Sequence, residues 1–182
     1  MDKISIDRIK LLHPAVREEV GQLFDHINRR ILGKGVRLRL AYTYRSFDEQ
    51  NDLYALGRTK LFDNKGKRLG KVTNAKGGSS VHNFGLAFDI VLLLDKDNNG
   101  TFESASWDIK ADFDKDGKAD WMEVTNYLIA NGWEWGGNWR FVDPPHFQKT
   151  FCHTTKSLLE KLNKGHFTTE VINGQTYKWV NL

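Results

Sequence analysis

Ser80-Val81-His82-Asn83-Phe84-Gly85-Leu86-Ala87-Phe88-Asp89-Ile90-Val91-Leu92 is the stretch that decides the fold. From Leu86 to Leu92 both alternating sets of side chains are apolar except Asp89, so the run reads as a strand buried on both faces. A carboxylate in such a strand is costly unless something positive compensates it. It could cap a turn or pair with an arginine, but His82 stands seven residues upstream. A metal ion held by both is the obvious compensation. Far downstream, Asp143-Pro144-Pro145-His146-Phe147 offers a second histidine with an acid three residues before it. Two histidines, a carboxylate and a spare acid are the parts of a catalytic zinc site, in which three protein ligands leave one position open.

Working outward, Val16, Val20, Leu23, Ile27 and Ile31 recur at spacings of three and four and predict a helix over 14–32, opened by Pro14. Val36, Leu38, Leu40 and Tyr42 alternate with Arg37, Arg39 and Ala41 and predict a strand. Ser46 with Glu49 is a capping box that opens a short helix to about Leu56. Arg45 therefore stands where a strand meets a helix N-terminus. Residues 58–80 read as a polar, mobile loop over the site, with Gly77-Gly78 just before the histidine. A helix over 121–131 turns Val124, Leu128 and Ile129 inward, and two more strands are expected in 133–148. A helix over 154–163 precedes a C-terminal hairpin, residues 166–182, signalled by Asn173-Gly174. The expected architecture is α+β: one domain over 1–182, with a small antiparallel sheet and flanking helices.

At 182 residues, 40% hydrophobic and 27% charged, the chain suits a soluble globular domain with a core of its own. No apolar run approaches a membrane span, so membrane insertion is not expected. The N-terminus lacks the apolar core of a signal peptide, and the single Cys152 fits synthesis in a reducing cytoplasm. A net charge of +4 favours polyanions in general, but there is no dense Lys/Arg block and no nucleic-acid motif. A monomer is the default.

Three segments together carry a family resemblance: Ser80-x-His82-x-x-Gly85-x-Ala87-x-Asp89, Trp133-Glu134-Trp135-Gly136-Gly137-x-Trp139, and Asp143-Pro144-Pro145-His146-Phe147. They resemble the zinc peptidases that cut peptidoglycan peptides, among them D-Ala-D-Ala carboxypeptidases and dipeptidases. Tyr42-Thr43-Tyr44-Arg45-Ser46 with Gln50 resembles the L-alanyl-D-glutamate endopeptidase branch, which supplies many tailed-phage endolysins. The resemblance covers roughly residues 13 to 150 and implies a DD-peptidase/Hedgehog-like fold. It implies one zinc ion on His82, Asp89 and His146, and Asp143 as general base. Glu134 is the fallback base. Pro144-Pro145 favours polyproline geometry, whose three-residue repeat would turn Asp143 and His146 to one side. Arg45 would pair with a substrate carboxylate or the developing oxyanion. Ser80, Gln50 and Trp139 would touch substrate, while Trp133 and Trp135 line the groove or pack. His13, His26, His153 and His166 read as ordinary histidines. The implied setting is a phage endolysin acting on peptidoglycan, made in the host cytoplasm and let out to the wall by a holin. The alternatives are a D-Ala-D-Ala carboxypeptidase or dipeptidase, and a non-catalytic calcium-dependent wall-binding module.

Residues 95–123 form an acidic insertion. Asp112, Asp114, Asp116, Asp120 and Glu123 occupy positions 1, 3, 5, 9 and 12 of an EF-hand loop, with Gly117 at position 6 and the Lys118 carbonyl at position 7. Five acids this close repel one another without a cation. Asp95, Asp97 and Asn99 repeat the first half of the pattern, but Ser106 at position 12 cannot supply the bidentate carboxylate. One or two calcium ions are expected, with a structural or regulatory role.

Overall fold

In a computed structural model, residues 2–182 are described. Five α-helices occur among them: α1 (Lys3–Lys10), α2 (Pro14–His26), α3 (Phe47–Ala55), α4 (Asp120–Ala130) and α5 (Thr155–Asn163). Seven strands join them: β1 (Val36–Tyr42), β2 (Ala87–Leu94), β3 (Ser104–Ser106), β4 (Glu134–Trp135), β5 (His146–Gln148), β6 (Phe167–Ile172) and β7 (Gln175–Val180). The chain divides into two compact units, Met1–Thr43 with Ala87–Lys149, and Tyr44–Leu86 with Thr150–Leu182. The architecture is α+β, as the sequence implies.

In the first unit the strands run antiparallel in the order β1-β2-β5-β4, with β3 added beside β2. β2 is buried along its length apart from the partly exposed Asp89, which explains its unbroken apolar pattern. Phe88 lies 4.6 Å from Trp133 and 5.7 Å from Phe147, centroid to centroid. Trp133 is therefore core. Its indole N–H donates to Glu19, whose carboxylate also takes the Lys149 ammonium at 2.8 Å. Leu12, Val16, Val20 and Ile27 are almost wholly buried, each stabilising the fold by roughly 1.5–3 kcal/mol.

β1 ends the sheet, and its outer backbone groups are met by side chains instead of by another strand. The Leu38 N–H donates to Asn28 Oδ1 at 2.9 Å, the Leu40 N–H donates to Ser5 Oγ at 3.2 Å, and Arg8 donates to the Leu40 carbonyl. A register shift between Leu40 and Tyr42 sets Tyr42 opposite Asp89.

Two expected elements differ. The helix over 14–32 changes character at Ile27, where Ile27–Ile31 forms a π-turn and the Leu32 N–H reaches back to the Ile27 carbonyl. In this wider turn Asn28 also donates to the Phe24 carbonyl, so one amide serves both the helix and the edge of β1. On α4, Val124 and Leu128 are buried as expected, whereas Ile129 is 40% exposed. One residue beyond Leu128 turns it about 100° round the helix, off the buried face.

In the second unit α3 opens with the Ser46–Glu49 capping box. Val81–Phe84 is a 3-10 turn closed by Gly85 at φ +69°, a left-handed conformation that glycine adopts without strain. β6 and β7 form the expected hairpin. Asn173 and Gly174 both have positive φ, the requirement of a type I′ turn. Tyr44 packs edge-on against Tyr177 and Trp179, at 5.2 and 5.8 Å, which gives the hairpin a packing role. Among the described residues no helix is long and apolar enough to cross a membrane.

Candidate functional site

Antiparallel pairing of β2 with β5 sets Asp89 opposite His146. His146 Nδ1 lies 3.3 Å from Asp89 Oδ1. That is about the edge of a tetrahedron with metal–ligand bonds of roughly 2.0–2.1 Å, the spacing of two ligands on one zinc ion. The rest of the ring is fixed by partners that determine its tautomer. Gln148, two residues along β5 and hence on the same face, presents Oε1 at 3.1 Å from His146 Nε2. The Gln148 amide nitrogen donates to Glu134 Oε2 at 2.8 Å. A carboxylate can only accept, so Glu134 turns the Gln148 oxygen toward His146. That oxygen in turn requires the proton on Nε2. In the neutral ring Nδ1 then carries the lone pair, and in the protonated ring it donates to Asp89.

Burial works to lower the His146 pKa, but the hydrogen bond and charge of Asp89, helped by Gln148 and Asp143, outweigh it and the net shift is upward. A metal replacing the proton on Nδ1 would gain from the same acidic surroundings.

Glu134 is held at both oxygens, since its Oε1 accepts the Trp139 indole N–H at 2.6 Å. This makes it an orienting group and a poor fallback base. The Trp139 ring lies 5.0 Å from the His146 ring, and Trp135 donates its N–H to the Pro144 carbonyl at 2.7 Å.

Asp143 is exposed and reaches His146 by a route other than polyproline geometry. The His146 N–H donates to the Asp143 carbonyl at 3.1 Å, so Asp143-Pro144-Pro145-His146 is a closed turn. Pairing of β4 with β5 forces the chain to double back here. The Asp143 N–H donates to the Gly136 carbonyl at 3.0 Å, and a Cβ at Gly136 would sit 2.5 Å from the Asp143 carbonyl oxygen. Only glycine permits that approach.

In the second unit His82 lies in the 3-10 turn, almost fully buried, and its carbonyl accepts the Arg45 N–H at 3.1 Å. Asn83, also buried, ties two other segments together. Its Oδ1 accepts from the Gly78 and Ser80 N–H groups, and its amide donates to the Arg45 and Ser46 carbonyls. Gln50, expected to touch substrate, is instead fully buried. It accepts from Arg45 Nη1 at 2.9 Å and donates to the Ala75 carbonyl at 2.8 Å. It holds the partly exposed guanidinium in place. Asn83 and Gln148 were not singled out in the sequence. Their places beside the two histidines, one residue and two residues on, were the available signal.

The other histidines have local roles. His13 caps α2 by accepting the Ala15 N–H, and His26 stacks on Tyr127 at 4.9 Å.

The acidic insertion contains two turns of like construction. Asp112 Oδ1 accepts from the Lys115 and Asp116 N–H groups and its Oδ2 from Gly117; Asp95 accepts likewise from Asn99 and Gly100. They then diverge. Ser106 is taken into β3 opposite Leu92, a strand that Ser-Ala-Ser does not announce. Asp120 instead opens α4 and is wholly buried. Burial raises its carboxyl to about 6, with neighbouring Asp114 adding to the shift.

Comparison with known sequences follows the same outline. A family described as D-alanyl-D-alanine carboxypeptidase matches residues 73–149. The peptidoglycan L-alanyl-D-glutamate endopeptidase CwlK of Bacillus subtilis (strain 168) is 41% identical over 138 residues, 75% of this chain and 72% of the relative. The chain belongs to the zinc peptidase family that contains the D-alanyl-D-alanine carboxypeptidases, in the L-alanyl-D-glutamate endopeptidase branch represented by that Bacillus enzyme.

Proposed function

We propose that this chain hydrolyses the L-Ala–D-Glu bond of peptidoglycan stem peptides as a zinc-dependent endopeptidase. The observation that carries the reading is the Asp89–His146 pair, spaced as two zinc ligands and oriented through Gln148 and Glu134. His82 is the third ligand in this reading. Each of the three offers one atom of the kind zinc takes, and two imidazoles with one carboxylate make a common catalytic zinc set. Zinc bound there supplies Lewis acidity and lowers the pKa of a bound water to about 7.

The remaining work falls to the side chains. Asp143, exposed beside His146, takes the proton of the attacking water and returns it to the departing amine of D-glutamate. Arg45, braced by Gln50, pairs with a carboxylate of the stem peptide or the oxyanion through its planar fork of donors. Ser80 and Trp139 are the remaining candidates for contact with the substrate.

In the same reading the enzyme is a monomeric phage endolysin, modulated by calcium and given access to the wall by a holin. The resemblance to a branch rich in such endolysins supports this setting. Removing zinc from purified protein should abolish release of peptides from peptidoglycan, and zinc should restore it. Asp143→Asn should keep zinc and lose turnover. Unchanged turnover in that variant would remove Asp143 as the base, absence of turnover from zinc-loaded parent protein would leave a wall-binding module as the reading, and release of D-alanine alone would make the chain a carboxypeptidase.

A further inference from the structure

The loop Asp112–Glu123 carries an observation that the peptidase reading does not use. Asp120 is fully buried, and its Oδ2 accepts the Phe113 N–H at 2.6 Å, while Oδ1 has no hydrogen-bond partner. Glu123 Oε2 is likewise buried and unpartnered. A buried acceptor without a donor costs about 1–3 kcal/mol, more when charged, so two in one place need an explanation. Both residues belong to one cluster. Ligand oxygens of Asp114, Asp120 and Glu123 lie within 4.8 Å of one another, and so do those of Asp112, Asp114 and Asp116, with Asp114 common to both groups.

We infer that this loop holds one calcium ion, through the carboxylates of Asp112, Asp114, Asp116, Asp120 and Glu123 and the carbonyl of Lys118. The donor set is all oxygen, which suits a hard cation, and a flexible ring of six or seven oxygens suits calcium better than magnesium. In the structure a side chain provides positive charge at the rim: the Lys118 ammonium lies 3.2 Å from both Asp116 Oδ2 and Glu123 Oε1. Lys118 contributes its carbonyl to the ion, so its ammonium is a competitor and swings out to solvent. The loop at 95–106 lies outside this inference. Its twelfth position is committed to β3, and among the described residues no group of three acids gathers around Asp95.

The site also touches the frame of the first unit. Asp114 Oδ2 accepts the Gly33 N–H at 2.6 Å, between the π-turn and β1, so an ion on Asp114 fixes the entry to the strand that pairs with β2. This coupling is the route by which calcium would modulate activity, and it rests on the peptidase reading; the ion site itself does not.

Calcium titration of the full-length, zinc-loaded protein by calorimetry tests the site. One ion per chain is expected, with affinity lowered about tenfold or more by Glu123→Gln, raised by Lys118→Met and unchanged by Asp95→Asn. Circular dichroism of each variant without calcium checks that it folds, and Asp112→Asn serves as a second variant if Glu123→Gln does not. No saturable binding up to about 10 mM would overturn the site, as would equal affinity for magnesium or loss of binding in Asp95→Asn. Binding that leaves hydrolysis unchanged would overturn the coupling alone, and inactivity with calcium still bound would count against the peptidase reading alone.

Discussion

Asp89 and Asp120 are both acids drawn into the first unit, and the protein treats them differently. Asp89 faces an imidazole whose far nitrogen is fixed by an amide that is itself fixed by a carboxylate. Asp120 faces other carboxylates, and one of its oxygens meets no donor. The first arrangement is a nitrogen–oxygen set beside a further carboxylate, suited to a borderline Lewis acid. The second is all oxygen, suited to a hard cation held for structure. The difference teaches that chemistry is assigned by the neighbours of a buried acid, since both are aspartates and the more deeply buried of the two is the one without an imidazole.

Variants can break the comparison in turn. The largest effect is expected from His146→Ala, which should remove stoichiometric zinc by elemental analysis and all measurable hydrolysis, while calcium binding persists. Asp143→Asn should lower kcat by about 10²–10⁴ with zinc retained, because it removes a proton acceptor and no ligand. Glu134→Gln should weaken zinc by about 10–100-fold in competition with a chelator, since Gln148 could then turn over and present its amide nitrogen to His146. Equal zinc affinity in that variant would show that the Glu134–Gln148 relay does not orient the ring. At the small end, Asp95→Asn should lower stability in thermal unfolding by no more than about 1 kcal/mol, because the amide keeps one of the two oxygens that accept the Asn99 and Gly100 N–H groups.

Legibility in the sequence followed the range of the physics involved. Strand β2, the capping box and the hairpin were readable because their signals are local: alternation, a Ser–Glu spacing, and Asn-Gly. Asp89 with His146 was readable because a charge in an apolar strand demands compensation. What the sequence hid is set by tertiary partners. The Asp143–His146 turn exists because β4 and β5 pair across it, which overrides the extended preference of two prolines. The π-turn at Ile27–Ile31 keeps nearly the apolar spacing of an α-helix, so periodicity cannot reveal it. Gln50 reads as a substrate contact until the fold supplies Arg45, Thr73 and Ala75 around it. Asp120 reads as one more loop acid until α4 carries it inside.

The central claim is the bond that is cut. Peptidoglycan digested with the zinc- and calcium-loaded protein, with products identified by mass spectrometry, tests it most directly. The account predicts free stem peptides that begin at D-glutamate, with L-alanine left on the glycan. Release of D-alanine from otherwise intact stems, or no product from protein with zinc shown to be bound, would contradict it.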